Sequence, residues 1–162
     1  TGTNPVIGHA IEWLKSQGQT PILVDGDVIR NLLVEPMGFD IDSRLKVAKF
    51  NARLCQFLAS QKQTVICSTI SLFKEVQVWN RSNIPGYLEI FLDVSLVDLL
   101  NRDSKGIYKA FENNEINNVV GLDIPAHFPE NPDIYLKITQ EMSAEKCANE
   151  IQEKIMRIIK NE

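Results

Sequence analysis

The chain has 162 residues and a mass of 18.3 kDa, with 44% apolar and 23% charged residues. This size and composition are typical of one globular domain with a single core. A net charge of -4 argues against a nucleic-acid-binding module, which would show a basic face. No apolar run approaches the ~20 residues that span a bilayer. We therefore expect residues 1–162 to form a single domain that binds neither nucleic acid nor membrane and is located in the cytoplasm.

The chain has three cysteines, Cys55, Cys67 and Cys147, which are far apart in sequence and form no CxxC pair. With only His9 and His127 available as further ligands, they give no zinc-binding spacing. We predict buried, reduced thiols, as in cytosolic proteins.

Helix-like and strand-like segments alternate along the chain. Apolar residues at helical spacing predict helices over 7–17, 28–34, 43–60, 72–79 and 96–101, and a final helix that Ser143 caps. Short apolar runs predict strands over 21–24, 64–68, 88–94 and 133–138, the first two buried on both faces. The polar segment 104–118 is typical of a mobile, partly helical surface element. This alternation indicates a three-layer α/β fold with a parallel sheet.

Polar residues cluster where the predicted strands end, which is where ligands bind in such sheets. They are Asp25, Asp27, Ser68, Ser71 and Asp93. Two carboxylates that leave a buried strand can hold Mg²⁺ or accept a hydroxyl proton, and an arginine three residues later can bind an anion. Each feature alone has a simpler interpretation: Asp25 could cap the next helix, Phe39 could belong to the core, and Arg44 and Lys105 could be solvated charges.

Taken together, the motifs resemble those of adenylylsulfate kinases, P-loop enzymes that phosphorylate the ribose 3'-hydroxyl of adenylyl sulfate. The resemblance runs from about Ile7 to the C-terminus and depends on several motifs in the right order and spacing. They are Asp25-Gly26-Asp27 with Arg30, Gly38-Phe39 with Arg44, Thr69-Ile70-Ser71-Leu72-Phe73, and the segments 102–110, 115–118, 121–123 and 129–133.

The resemblance implies a P-loop NTPase-type fold with a small lid, ATP as co-substrate and Mg²⁺ as cofactor. It implies that Asp27 is the catalytic base and that Asp25 and Asp27 face the metal ion. It implies contacts to the nucleotide substrate for Arg30, Phe39, Arg44, Ile70, Ser71, Lys105 and Val119. On the ATP side it implies Arg102, with Thr3 and Asn4 at the expected phosphate loop. The partners are thus ATP and a small nucleotide, and a homodimer is compatible with this resemblance.

The chain departs from the family before Ile7. The P-loop pattern G-x-x-x-x-G-K-[ST] belongs where Thr1-Gly2-Thr3-Asn4-Pro5-Val6 stands, and the strand that should precede it is missing. Losing a central strand would weaken the fold, so we expect that the start of the native chain is absent from this sequence. The alternative is a non-catalytic nucleotide-binding domain that has lost its P-loop.

Further departures fall on the substrate side. Val47 stands where the family has Asn, and Val119 stands where it has an aromatic residue that stacks on adenine. Lys49 and Phe50 replace paired arginines, and segment 73–81 resembles the branch that phosphorylates cytidine diphosphoramidate in capsule biosynthesis. The substrate is therefore predicted to be adenylyl sulfate, as in sulfate assimilation, or a pyrimidine diphosphate derivative; in the former case Phe128 could cover the adenine. A nucleoside or nucleoside-monophosphate kinase shares the fold class but not the lid motif over 102–110.

Overall fold

The structure is a computed structural model that describes residues 5–70, 72–102, 106–139 and 141–160. Helices and strands alternate as the sequence predicts. In chain order they are α1 (Pro5–Ser16), β1 (Ile22–Asp25), α2 (Gly26–Leu32), α3 (Ile41–Ser60), β2 (Val65–Ser68), α4 (Lys74–Asn83), β3 (Ile90–Val94), α5 (Leu96–Arg102), α6 (Ile107–Glu112), β4 (Ile134–Ile138) and α7 (Ala144–Lys160).

All described strands pair in parallel, which confirms the α/β class. Strand β1 pairs with β2, so that Asp25 lies opposite Ser68 at the carboxyl ends of both strands. Strand β3 pairs with β4 from Ile90–Ile134 to Val94–Ile138. Among the described residues the strands form two separate pairs rather than one continuous sheet. The central strand that the resemblance predicts would precede Ile7, and the described part of the chain begins at Pro5.

One hydrophobic cluster lies between the second strand pair and the C-terminal helix. Burial alternates along β4, and its inward residues Ile134, Leu136 and Ile138 pack against Cys147 and Ile151 of α7. Each such side chain contributes about 1.5–3 kcal/mol when it is fully buried. Helix α1 also packs on α7. Helix α7 begins as predicted, because the Ser143 hydroxyl accepts a hydrogen bond from the Lys146 N–H at 3.1 Å.

A second cluster joins α3 to α4 through Ala48, Ala52 and Val76. Strand β2 lies beside α3 but has no buried residue, so the prediction of burial on both faces is wrong for this strand. Cys67 of β2 is exposed, contrary to prediction, whereas Cys55 and Cys147 are buried as expected. The reason is that β2, within the described chain, is paired along only one edge, so water reaches the strand from its other edge.

Helix α4 contacts the segments that lead into β3 and β4 through charged side chains. Arg81 contacts Asp133 at 3.0 Å and Glu89 at 3.5 Å, and the Asp133 carboxylate also accepts the Glu89 N–H at 2.7 Å. Lys74, at the start of the same helix, contacts Glu130 at 2.6 Å. These contacts fix α4 against the segment that enters β4.

None of the helices in the described ranges is both long enough and apolar enough to cross a membrane.

Candidate functional site

The first part of the site is the junction of β1 and α2. Asp25 ends the strand, and its Oδ1 accepts hydrogen bonds from the N–H groups of Asp27 at 3.0 Å and Val28 at 3.1 Å. Asp25 therefore caps α2, the structural role that the sequence left open, and these bonds orient its carboxylate. Asp27 lies exposed in the first turn of the helix, where its negative charge interacts favourably with the helix dipole.

This junction touches the carboxyl end of β2. A Cβ atom on Gly26 would lie 3.0 Å from the Thr69 Oγ1 and 3.4 Å from the Ser68 carbonyl oxygen, so only glycine allows this approach without displacement. The contact places the two aspartates beside segment 68–70. Ile70, a predicted substrate contact, is 70% exposed on that segment, and Ser71 lies outside the described residues.

Two arginines surround Phe39, which is 55% exposed in the loop before α3. The guanidinium carbon of Arg30 lies 4.7 Å from the centre of the Phe39 ring, and that of Arg44 lies 5.4 Å from it. Arg30 donates hydrogen bonds to the carbonyl oxygens of Met37 and Gly38, and Arg44 Nε donates to the carbonyl oxygen of Phe39 at 2.7 Å. The loop thus holds both guanidinium groups beside one aromatic ring.

The charges around Arg44 are mixed, with one further cation and three carboxylates. Burial and the nearby Arg30 lower the pKa of Arg44, while Asp123, Asp27 and Asp40 oppose that change. A second cation this close favours binding of a phosphate or sulfate group, because the anion neutralises the repulsion between the two guanidinium groups.

The same loop ends in a helix cap that the sequence analysis missed. Asp40 Oδ1 accepts the Ser43 N–H at 2.9 Å, and the bonds from Ser43 lower the pKa of Asp40. A Cβ atom on Gly38 would lie 2.8 Å from the Asp40 Oδ2, so a larger residue before Phe39 would require the Asp40 side chain to shift. The sequence feature that could have predicted this cap is the position of Asp40 directly before an apolar helical stripe.

A turn far along the chain completes this side of the site. Arg44 donates a hydrogen bond to the Asn118 carbonyl oxygen at 2.7 Å, across 74 residues of sequence. Val119, a predicted substrate contact, follows directly; only 8% of its surface is exposed. Asp123 accepts hydrogen bonds from the N–H groups of Asn118 at 2.7 Å and Val119 at 2.6 Å. Sequence analysis included Asp123 only as part of a motif and assigned it no role.

The positions on α3 where the chain departs from the family differ in burial and contacts. Val47 is 4% exposed and belongs to the buried face of α3. Lys49 forms an ion pair with Glu75 of α4 at 2.8 Å, and Phe50 is 44% exposed on the outside of the helix.

The predicted lid is described only in part. Its helix α6 follows Gly106, which has a left-handed backbone with φ of 65°. Lys105 lies outside the described residues, as do Thr3 and Asn4, and Arg102 is described only as the last residue of α5.

The carboxylates fit a magnesium ion of the kind found in phosphoryl-transfer sites. The described chain contains no group of three or more His, Cys, Asp or Glu residues that could hold a metal alone. Mg²⁺ in such sites is held by one or two carboxylates together with phosphate and water oxygens. Asp25, which ends β1, and Asp27, in the first turn of α2, would supply the carboxylates of such a set.

Comparison with known proteins gives consistent results. A family model described as adenylylsulphate kinase matches residues 2–137. The chain is 36% identical over 155 residues to the cytidine diphosphoramidate kinase of Campylobacter jejuni. This match covers 95% of this chain and 86% of the relative. It is 31% identical over 156 residues to the adenylyl-sulfate kinase of Halothermothrix orenii, covering 94% of this chain and 84% of that protein. The APS kinase CysC of Mycobacterium tuberculosis, solved in complex with AMPPNP and APS, superposes with a TM-score of 0.83 at 26% identity, covering 96% of this chain and 94% of that one.

Proposed function

Because the chain belongs to the adenylylsulphate kinase family, we propose that it transfers the γ-phosphoryl group of ATP to the ribose 3'-hydroxyl of a nucleotide. The observation that carries this proposal is the pair of guanidinium groups at Phe39, held near the carboxylates that follow β1. Phosphoryl transfer depends mainly on positioning and on neutralisation of charge. Cations for the substrate and a carboxylate for its hydroxyl are the groups that this reaction needs.

Each residue of the site has a role that follows from its chemistry. Asp27 accepts the proton of the attacking hydroxyl, since its carboxylate is exposed in the first turn of α2, directly after β1. Arg30 and Arg44 bind the anionic group of the nucleotide, and Phe39 packs against its base. Ile70, exposed just beyond the end of β2, contacts the nucleotide from that side. Asp25 and Asp27 are the residues that would hold Mg²⁺, which would supply positive charge to neutralise the phosphate oxygens of ATP.

We further propose that the substrate is a pyrimidine diphosphate derivative of the cytidine diphosphoramidate type. The support is that Val119 is a buried aliphatic residue, and that Val47 offers no polar group where the family has Asn. An aromatic stacking contact contributes about 1–3 kcal/mol per base, so its absence weakens adenine binding about tenfold to a hundredfold. The similarity to the Campylobacter jejuni kinase supports the same substrate class.

Adenylyl sulfate is the second candidate, and Phe128 is the residue that favours it. Phe128 is 59% exposed and its ring centre lies 5.4 Å from that of Phe91. The preceding His127 N–H donates to the Leu72 carbonyl oxygen at 2.9 Å, which places this segment beside the residues that follow β2. An exposed aromatic ring there could stack on adenine, in place of the aromatic residue that the family has at the position of Val119.

The test is kcat/KM for both nucleotides with the full-length protein, ATP and Mg²⁺. We expect cytidine diphosphoramidate to be preferred by about tenfold or more. A clear preference for adenylyl sulfate would contradict the pyrimidine assignment and leave the kinase assignment intact. Failure to phosphorylate either nucleotide would contradict the proposed function itself.

We place this reaction in the cytoplasm, where ATP is available, and we propose a homodimer on the basis of the family resemblance.

A further inference from the structure

The peptide unit that follows Asn117 and the one that follows Asn118 are both held by charged side chains. Asp123 accepts the N–H groups of Asn118 and Val119 on its two carboxylate oxygens, at 2.7 Å and 2.6 Å. The Asn118 carbonyl oxygen accepts a hydrogen bond from Arg44 at 2.7 Å. Asn118 is therefore fixed through its donor by an anion and through its acceptor by a cation.

The turn that contains Asn118 is a closed local unit. Asn118 has φ of 63°, a left-handed conformation that Asn tolerates better than most residues. The Val119 carbonyl oxygen accepts the N–H groups of Leu122 and Ile124, at 3.1 Å and 3.2 Å. Val119 and Ile124 are buried, so the turn is anchored to the protein by apolar contacts. Asp123 then sets the orientation of the Asn118 peptide relative to that anchor.

Arg44 connects this turn to the aromatic loop. Its Nε donates to the Phe39 carbonyl oxygen at 2.7 Å while its terminal nitrogen donates to Asn118. Because a guanidinium group is planar and rigid, two fixed acceptors determine its orientation. The Asn118 carbonyl is one of those two acceptors, so its position affects where the remaining N–H groups of Arg44 point.

We propose that Asp123 is a positioning residue for nucleotide binding, which fixes the Asn118 carbonyl and through it orients Arg44 beside Phe39. The proposal rests on the proposed function, since it concerns the site that binds the nucleotide. If Asp123 only stabilised its own turn, its loss would lower stability without a selective effect on one substrate. A positioning role predicts weaker use of the nucleotide with little change in the use of ATP.

The test is steady-state kinetics of Asp123→Asn in the full-length protein, with each substrate varied in turn. We expect KM for the nucleotide to rise about tenfold, the effect of losing one hydrogen bond to a charged group. KM for ATP should change by less than about twofold. Equal changes in both Michaelis constants, or no change in either, would overturn the proposal.

The matched control is Asp133→Asn. Asp133 also accepts a backbone N–H and contacts an arginine, but it does so at α4 and β3. This variant should lower the melting temperature while leaving the ratio of the two Michaelis constants unchanged. A selective rise in the nucleotide KM for Asp133→Asn as well would show that any lost carboxylate has this effect, and would overturn the assignment to Asp123.

A double-mutant cycle with Arg44→Lys tests the connection between the two residues. Lysine keeps the charge but lacks the planar fork that contacts two carbonyl groups. If Asp123 acts through Arg44, the combined variant should raise the nucleotide KM by clearly less than the product of the single effects. Fully multiplicative effects would contradict the mechanism.

Two further measurements distinguish the outcomes: amide exchange in Arg44→Lys and the activity of the parent protein. If Asp123→Asn fails to fold, Arg44→Lys must still raise the nucleotide KM selectively and speed amide exchange at Asn118 and Val119; unchanged exchange overturns the proposal. An inactive parent protein contradicts the proposed function and the positioning role with it. An active parent with an unselective Asp123→Asn contradicts the positioning role alone.

Discussion

The proposed base, Asp27, differs from the neighbouring aspartate in position and exposure. Its neighbour Asp25 caps α2, whereas Asp27 is exposed on the first turn. We expect Asp27→Ala to reduce kcat about 10²–10⁴-fold, the contribution of a positioned general base. The fold should persist, because an exposed side chain contributes little to stability.

The measurement is single-turnover phosphoryl transfer together with thermal unfolding. Asp42→Ala serves as control, since Asp42 is also exposed in the first turn of a helix. Turnover of Asp27→Ala within about tenfold of the parent would exclude a role as base.

Residues close in sequence were predicted better than those that meet across the fold. The Asp25 cap follows from an aspartate at the end of an apolar run. The contact from Arg44 to Asn118 spans 74 residues, and no local spacing contains that information. Asp123 could be identified as part of a motif, but its hydrogen bonds depend on a left-handed turn that only the structure shows.

At the scale of elements, α6 is the least anchored helix near the site. It has six residues, none of them buried, and an exposed segment follows it over 113–117. So short a helix has little stability of its own. We expect amide exchange over 106–118 to slow when both substrates bind, because closure over the phosphates excludes water.

Hydrogen exchange measured by mass spectrometry tests this lid. Exchange in α7 is the internal control, since that helix is anchored by Cys147, Ala148 and Ile151 and should respond little. Full protection of the segment in the free protein would contradict a lid that closes on binding.

Helices and strands can be predicted from hydrophobic periodicity where one face of the element is buried. Helix α3 shows its apolar stripe over 20 residues, and β4 alternates between buried and exposed positions. Strand β2 has the same apolar composition as a central strand, yet it is only half-buried, because within the described chain it is paired along one edge and pairing, rather than composition, determines burial. Pairing partners are not encoded in a run of four residues.

At the scale of the whole molecule, stability should depend on the contact between Arg81 and Asp133. Burial raises the pKa of Asp133, but the hydrogen bonds from Arg81 and the Glu89 N–H outweigh it and hold the pKa below 3.8. Because ionisation is favoured in the folded state, this stabilisation is present above about pH 4 and is lost as pH falls through the lowered pKa. We expect the free energy of unfolding to fall less steeply between about pH 6 and pH 3 in Asp133→Asn than in the parent.

Urea unfolding at both pH values measures this difference. Arg81→Met should flatten the pH dependence in the same way, because it removes the main partner of the carboxylate. A steeper dependence in either variant would contradict the role of this ion pair.

The two hydrophobic clusters share no residue: one joins β4 to α7, and the other joins α3 to α4. Parts of a protein with separate cores can open with different free energies, so local unfolding in one half does not require the other to open. The nucleotide proposed here would contact Arg30 of α2 and Phe39 in the loop before α3, the helix that carries the second cluster. It would also approach the Val119 turn, which reaches that side through Arg44. A ligand that binds only when both are in place stabilises that state by mass action. Substrate concentration would then set how often this kinase samples partly open forms.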